Sequence, residues 1–483
     1  MDKKTQTKDR SLMSHFLIVG IGVFINMAIG LISTPFITRV VDPAEYGRVN
    51  LFITYAGIFL STVFLGLDAA LIRFFYDFEE AKQKKLLSMC IRLPLLATAV
   101  VALIVTLGNR IGFGPFRMFE GQYLILLVLF LVINILNTLS MNLLRLIYKS
   151  EVYSISNIIQ KVVYCLVVVL LMFVKRNYHF YILLGANIAS FAASAAIAIV
   201  STRQYWHSDD AKVSIDRDPI LRYSIPLTAY NILFSMFDSL DKLQVERYCS
   251  ETEVGIYISA LSVVGIMVLI KTSFDVIWYP AQTEHMEQED GKEFIRKGNA
   301  YITILMFFVG INVIVFKDVL CLILGEAYRS ASSTIPFLIF NPVMSSISLT
   351  TVSGIEKSKK SYIHIIIAAG CLLMQYVMGG LLIPRMGLSG AAISVALSYI
   401  LLFVLRLFFS NRFYYIDYGF TRTMVMVALT FILAYLCTFR SFDVLTVILY
   451  LLCMIGLYLL YKNDIRDMFR LFRDDILKKV GRR

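Results

Sequence analysis

Hydrophobic and polar positions along the chain fall into long blocks rather than short alternations. Twelve stretches of seventeen or more residues carry no charged side chain: Ser11–Thr38, Val49–Leu67, Leu93–Asn109, Gln122–Leu144, Asn177–Thr202, Val254–Ile270, Gly298–Phe316, Ser330–Ile355, Ser361–Pro384, Met386–Leu405, Thr423–Phe439 and Val444–Tyr461. Two more apolar stretches, 152–174 and 219–248, are as long but are interrupted by charges. Crossing a bilayer takes about 20 mainly apolar residues, so the pattern predicts fourteen transmembrane helices. A membrane β-barrel would instead alternate over segments of about 10 residues, and Leu124–Val132 (LILLVLFLV) does not alternate. The first stretch is 28 residues long behind a polar decapeptide, longer than a signal peptide's apolar core of about 7–15, and is expected to stay in place as a helix.

Composition agrees with the pattern. The 483 residues are 58% hydrophobic and 17% charged, against about 45–50% and 25% in soluble domains, which excludes an ordinary soluble protein. Lys and Arg in short loops set orientation. With a cytoplasmic N-terminus, 28 basic residues fall on the cytoplasmic side and 10 on the other, so both termini are expected in the cytoplasm. A basic face against an anionic leaflet accounts for the net charge of +12 and calls for membrane lipids, not nucleic acid, as the partner. In the tail from Lys462, the residues Ile465, Met468, Phe469, Phe472, Ile476 and Val480 recur at helical spacing among basic ones, the pattern of a helix lying on the membrane surface. The seven cysteines and five histidines are scattered, with no metal or redox spacing.

Internal repetition sets the expected architecture. A shift of 208 lays Arg39, Glu45 and Gly47 on Arg247, Glu253 and Gly255, and Lys149-Ser150 on Lys357-Ser358; a shift of 205 lays Gly185 on Gly390. Two six-helix units follow. Since six is even they run in the same sense, related by an axis along the membrane normal. The expected organisation is an all-α polytopic membrane protein. It has an N-terminal lobe of helices one to six (1–205), a C-terminal lobe of helices seven to twelve (206–412), two appended helices (413–461) and a basic amphipathic cytoplasmic tail (462–483). No loop is long enough for a soluble domain.

Ionisable residues inside spans are the functional candidates. Lys161 lies nine residues into its span, about 14 Å along it and out of snorkelling reach; it faces a cavity or pairs with a polar neighbour. In the seventh span, Asp238 is a candidate for a coupling ion, a substrate contact or a helix-to-helix hydrogen bond. Asp241, also a coupling-ion candidate, can instead pair with Lys242. Arg73, Arg92, Arg145, Lys161, Arg222 and Lys271 all fall toward the cytoplasmic ends of different spans. They are either ordinary positive-inside anchors or a cationic vestibule for an anionic headgroup such as pyrophosphate.

Several segments resemble one family. Pro35-Phe-Ile-Thr-Arg-Val-Val-Asp-Pro-Ala-Glu-Tyr-Gly47, Gly66-Leu-Asp-Ala-Ala-Leu-Ile-Arg73, Tyr223-Ser-Ile-Pro-Leu227, Asp238-Ser-Leu-Asp241-Lys, Glu253-Val-Gly-Ile-Tyr257 and Met386-Gly-Leu-Ser-Gly-Ala-Ala392 are similar, in order, to stretches of the O-antigen (Wzx-type) oligosaccharide-lipid flippases. These belong to the polysaccharide transporter family of the multidrug and oligosaccharidyl-lipid exporter superfamily. The resemblance implies two six-helix lobes in pseudo-twofold arrangement around a central cavity, and alternating access in a bacterial cytoplasmic membrane. It also implies a lipid-linked oligosaccharide on polyprenyl pyrophosphate as cargo, for surface polysaccharide biosynthesis alongside the polysaccharide assembly machinery.

On that reading Lys161, Arg92, Arg145 and Lys271 bind pyrophosphate on the cytoplasmic side, and Arg39 and Arg247 stand where the headgroup is released. No GxxxxGK[ST] pattern occurs. No cofactor or enzymatic activity is expected, and direction comes from Na+ or H+ as coupling ion or from consumption of cargo. The rival readings are a multidrug antiporter of the same superfamily, which would favour acidic residues in the spans, and a polytopic polysaccharide polymerase or ligase, which needs a large outward loop.

Overall fold

The computed structural model describes residues 33–470, apart from 113, 174–177, 207–214, 287, 359, 361, 441–442 and 469. Regular structure among the described residues is helical throughout. Most of the first predicted span lies outside them; residues 33–40 are helical. Then follow α1 (Pro43–Val63), α2 (Leu67–Phe74), α3 (Glu80–Arg110), α4 (Gln122–Leu146), α5 (Ser150–Val169), α6 (His179–Ser201), α7 (Asp218–Tyr248), α8 (Glu251–His285), α9 (Gly291–Val315), α10 (Ile335–Leu338), α11 (Phe340–Thr350), α12 (Ser353–Lys357), α13 (Tyr362–Phe413), α14 (Phe420–Phe439) and α15 (Val444–Leu460), and a helix bent 73° from α15, α16 (Lys462–Met468). Eight helices among the described residues are long and apolar enough to cross a membrane, ten if each bent pair counts as one span. The charge-interrupted stretches at 152–174 and 219–248 are the helices α5 and α7. The eleventh and twelfth predicted spans form α13, broken at Gly387 (φ 55°, ψ −136°). A Cβ on Gly390 would lie 2.4 Å from the Leu382 carbonyl oxygen, although eight residues of straight helix span about 12 Å, so the chain doubles back there. The amphipathic tail is helical over α16; residues 471–483 lie outside the described part.

Contacts divide the chain into two compact units, one ending at Ser239 and one starting at Leu240, so the boundary falls inside α7. The first part of α7, as far as Ser239, packs with the N-terminal unit. In that unit α4 is the central helix, touching α1, α2, α3, α5 and α6. Its core is aromatic: Phe52 packs tilted against Phe119 and edge-to-face against Phe130 and Phe180, with ring centres 5.2–6.4 Å apart. In the second unit α9 holds the middle, against α8, α11, α14 and α15. Lipid offers no hydrophobic drive between helices, so small residues and polar side chains fasten them. Asn299 of α9 donates to Thr350 Oγ1 of α11 (2.7 Å), and Gln244 of α7 donates to the Tyr376 carbonyl of α13 (2.9 Å), where Gly379 leaves it room.

The segments aligned by the shift of 208 share a structural role. Asp42 and Ser250 are both helix N-caps, and α1 and α8 start at Pro43 and Glu251, themselves 208 apart. Proline at the first position of α1 has no N–H to leave unsatisfied. At α8 the Ser250 hydroxyl accepts from the Glu253 amide (3.3 Å) and the Glu253 carboxylate accepts from the Ser250 amide (3.0 Å), a capping box. Ser250→Ala is expected to destabilise the protein by about 1 kcal/mol, read as a lower midpoint of thermal unfolding in detergent.

Candidate functional site

The second predicted span does not run unbroken. After α1, Leu65 and Gly66 both take positive φ (52° and 66°), and α2 leaves at 50° to α1. Left-handed backbone suits glycine and strains leucine. A Cβ on Gly66 would meet the Ser224 carbonyl oxygen at 2.5 Å, so α7 lies directly against the break. Interrupted membrane helices leave backbone carbonyls and half-helix ends free to meet ions.

Beside this break is a hollow of about 350 Å³ inside the N-terminal unit. The broken span contributes Leu60, Ser61, Phe64 and Asp68; α7 contributes Asn231, Phe234, Ser235 and Asp238. The α7 set is spaced i, i+3, i+4, i+7, one helical face. Asp68 is half-buried at the second position of α2, and its Oδ1 has no hydrogen-bond partner among the described residues. Asp238 is exposed on the hollow's rim. The hydroxyl of Ser61 donates back to the Gly57 carbonyl at 3.0 Å, keeping its lone pairs for a ligand. Two carboxylates, an amide and two hydroxyls are hard oxygen donors, the chemistry that binds a proton or a small cation.

None of the predicted cations lines this hollow. Arg39, Arg92, Arg145 and Arg222 are exposed. Arg73 is paired with Asp77 (3.4 Å). Arg247 is exposed, with its guanidinium carbon 5.5 Å from the centre of the Tyr248 ring. Lys271 is bound to Asp275, one turn on, at 2.6 Å. Lys161 is half-buried, its ammonium 5.0 Å from the centre of the Tyr164 ring, a cation–π contact that leaves its N–H donors for another acceptor. In the second unit Asp241 is buried, accepts a hydrogen bond from Tyr257 (2.8 Å) and has the Lys242 ammonium at 3.8 Å, so the expected pairing with Lys242 exists but is shared with a tyrosine.

Asp68 is not among the residues that the sequence singles out. Its signal is an aspartate just past the charge-free run Val49–Leu67, set between Gly66-Leu67 and Ala69-Ala-Leu-Ile72, an apolar context with no turn residue after it. Among the described residues no group of three or more His, Cys, Asp and Glu is arranged to hold a metal ion.

Residues 12–286 match the sequence model of a family described as polysaccharide biosynthesis protein. No curated protein matches the chain in sequence. Among solved structures the chain is similar to lipid II flippase MurJ in an inward closed conformation (14% identity, 94% of this chain and 100% of that one, TM-score 0.67). It is also similar to an inward-facing multidrug resistance transporter of the MATE family (13%, 81% and 94%, TM-score 0.60) and to a Vibrio cholerae MATE transporter (13%, 85% and 98%, TM-score 0.52). At these identities the likeness is one of fold: a polytopic helical bundle.

Proposed function

Because the chain belongs to the polysaccharide biosynthesis protein family, we propose that it carries a lipid-linked oligosaccharide, a glycan on polyprenyl pyrophosphate, from the cytoplasmic to the outer leaflet of a bacterial cytoplasmic membrane by alternating access, with both termini in the cytoplasm. The observation that carries this reading is the shared fold with a lipid II flippase over nearly the whole chain. Lys161 suits the pyrophosphate: its side chain is half-buried on a membrane helix and its ammonium rests on a ring rather than a carboxylate. Arg92 and Arg145 of the same unit, and Lys271 once released from Asp275, are further candidates for the anionic headgroup, with Arg39 and Arg247 at its release. The hollow at Asp68 and Asp238 is the coupling site, taking Na+ or H+, and the gradient of that ion supplies direction.

The test is headgroup translocation in proteoliposomes. Lys161→Ala is expected to lower transport at least about tenfold, the loss of one charge-assisted contact. Asp68→Asn is expected to abolish the response to an imposed Na+ or H+ gradient while leaving slow downhill exchange. Unchanged transport in both variants would sink the reading.

A second reading is favoured by one observation. Two carboxylates in a half-apolar hollow with Phe64 and Phe234 also suit an organic cation, as a multidrug antiporter would need. Efflux of a cationic dye that depends on Asp68, with no translocation of a lipid-linked glycan, would establish it.

A further inference from the structure

A second cavity, of about 520 Å³, lies in the unit from Leu240, walled by α8, α9 and α15 and closed at one end by α16. Phe274, Leu305, Phe308 and Tyr458 line its length and Ile465 of α16 its end. Leu305, Phe308 and Tyr458 are 43–52% exposed, so the cavity opens sideways between helices, two of which, α8 and α9, are long and apolar enough to cross a membrane. One buried polar group breaks its apolar lining: Tyr301, whose hydroxyl has no hydrogen-bond partner among the described residues, whereas Tyr458 is half-exposed. An orphan hydroxyl costs free energy until an acceptor meets it.

Positive charge gathers at the same end. Lys297 stands one turn before Tyr301 on α9, and Arg296 reaches Asp464 of α16 at 3.6 Å. Lys462 and Arg466, one turn apart on α16, are exposed. Lys297 is partly neutralised by Glu293 (2.7 Å), which leaves Lys462 and Arg466 as exposed charges with no ion pair among the described residues.

We propose that this cavity is a binding site for an anionic membrane phospholipid: an acyl chain lies along Leu305 and Phe308, an ester carbonyl accepts from the Tyr301 hydroxyl, and the headgroup phosphate meets Lys462 and Arg466. An apolar slot, one orphan donor at its polar end and basic side chains just beyond follow the order of groups along such a lipid. Burial of its CH₂ groups holds an acyl chain, and basic side chains near an anionic headgroup add electrostatic attraction. The site is independent of the carrier reading, because it uses none of the residues invoked there.

The test is native mass spectrometry of the full chain released from nanodiscs of equal phosphatidylglycerol and phosphatidylcholine. Phosphatidylglycerol is expected to stay bound to the wild type. Leu305→Trp and Tyr458→Trp, both at half-exposed positions, fill the slot and are expected to lower the bound fraction about tenfold; Tyr301→Phe, losing one hydrogen bond, about fivefold. Leu381→Trp, half-exposed on α13, is expected to change nothing. Retention of phosphatidylglycerol by both slot-filling variants would overturn the proposal, as would equal retention of the two phospholipids. Undecaprenyl phosphate displacing phosphatidylglycerol from the wild type at equal concentration would overturn it too, assigning the slot to a prenyl chain.

Discussion

Gly66→Ala is expected to destabilise the protein by about 4 kcal/mol. Two costs add. A non-glycine residue held at φ 66° costs about 1–2 kcal/mol. The new Cβ, 2.5 Å from the Ser224 carbonyl oxygen, must push α7 off the break, and forced overpacking costs about 1–3 kcal/mol. Neither can be relieved cheaply, because the atom it strikes is backbone and Leu65 beside it is already at positive φ. The measurement is the fraction of monodisperse protein and its unfolding midpoint in detergent. Ser224→Gly is expected to rescue little, since the clash is with main chain rather than with a side chain. If Gly66→Ala unfolds at the wild-type midpoint, α7 does not press on the break.

Asp464→Asn is expected to cost about 3 kcal/mol. Asp464 is 6% exposed and holds two guanidinium groups, Arg422 at 2.6 Å and Arg296 at 3.6 Å; Arg422 also lies over the Tyr461 ring at 4.4 Å. Taking one partner from a buried pair costs about 3–5 kcal/mol because the other charge stays behind without compensation. The low end applies, since Arg296 is 37% exposed and keeps water. The double variant Asp464→Leu with Arg422→Met is expected to recover most of the loss, since it leaves no buried charge unpaired. Unfolding midpoints of the four proteins in the cycle decide it. Asp464 also ties α16 to α9 and α14, so the same substitution is expected to loosen the end of the apolar slot that α16 closes.

The spans were legible because lipid imposes a length on every one of them. Even α7, with Asp238, Asp241 and Lys242 inside it, could be recognised from the apolar residues around those charges. The amphipathic tail was legible as well: Ile465 and Met468, picked out by spacing, line the slot. The hollow was not. Asp68 and Asp238 stand 170 residues apart and meet only because the chain bends at Gly66 and α7 comes up against that bend; no period along one helix encodes a meeting of two. The same limit applies to the cations. Charge and depth were readable for Arg92 and Arg145, but which face each occupies was not, and both are exposed. Lys271 was readable as a basic residue near a helix end, while its partner Asp275, one turn on, needed only the i, i+4 rule.

The reversal at Gly387 bears on how the protein is made. With Pro384, Arg385 and Met386 on one side and the Gly390 backbone already against Leu382 on the other, the connection between the two arms is short. The two segments are therefore expected to enter the membrane together as a hairpin, and a reporter spliced between them is expected to break that hairpin instead of reporting a side of the membrane.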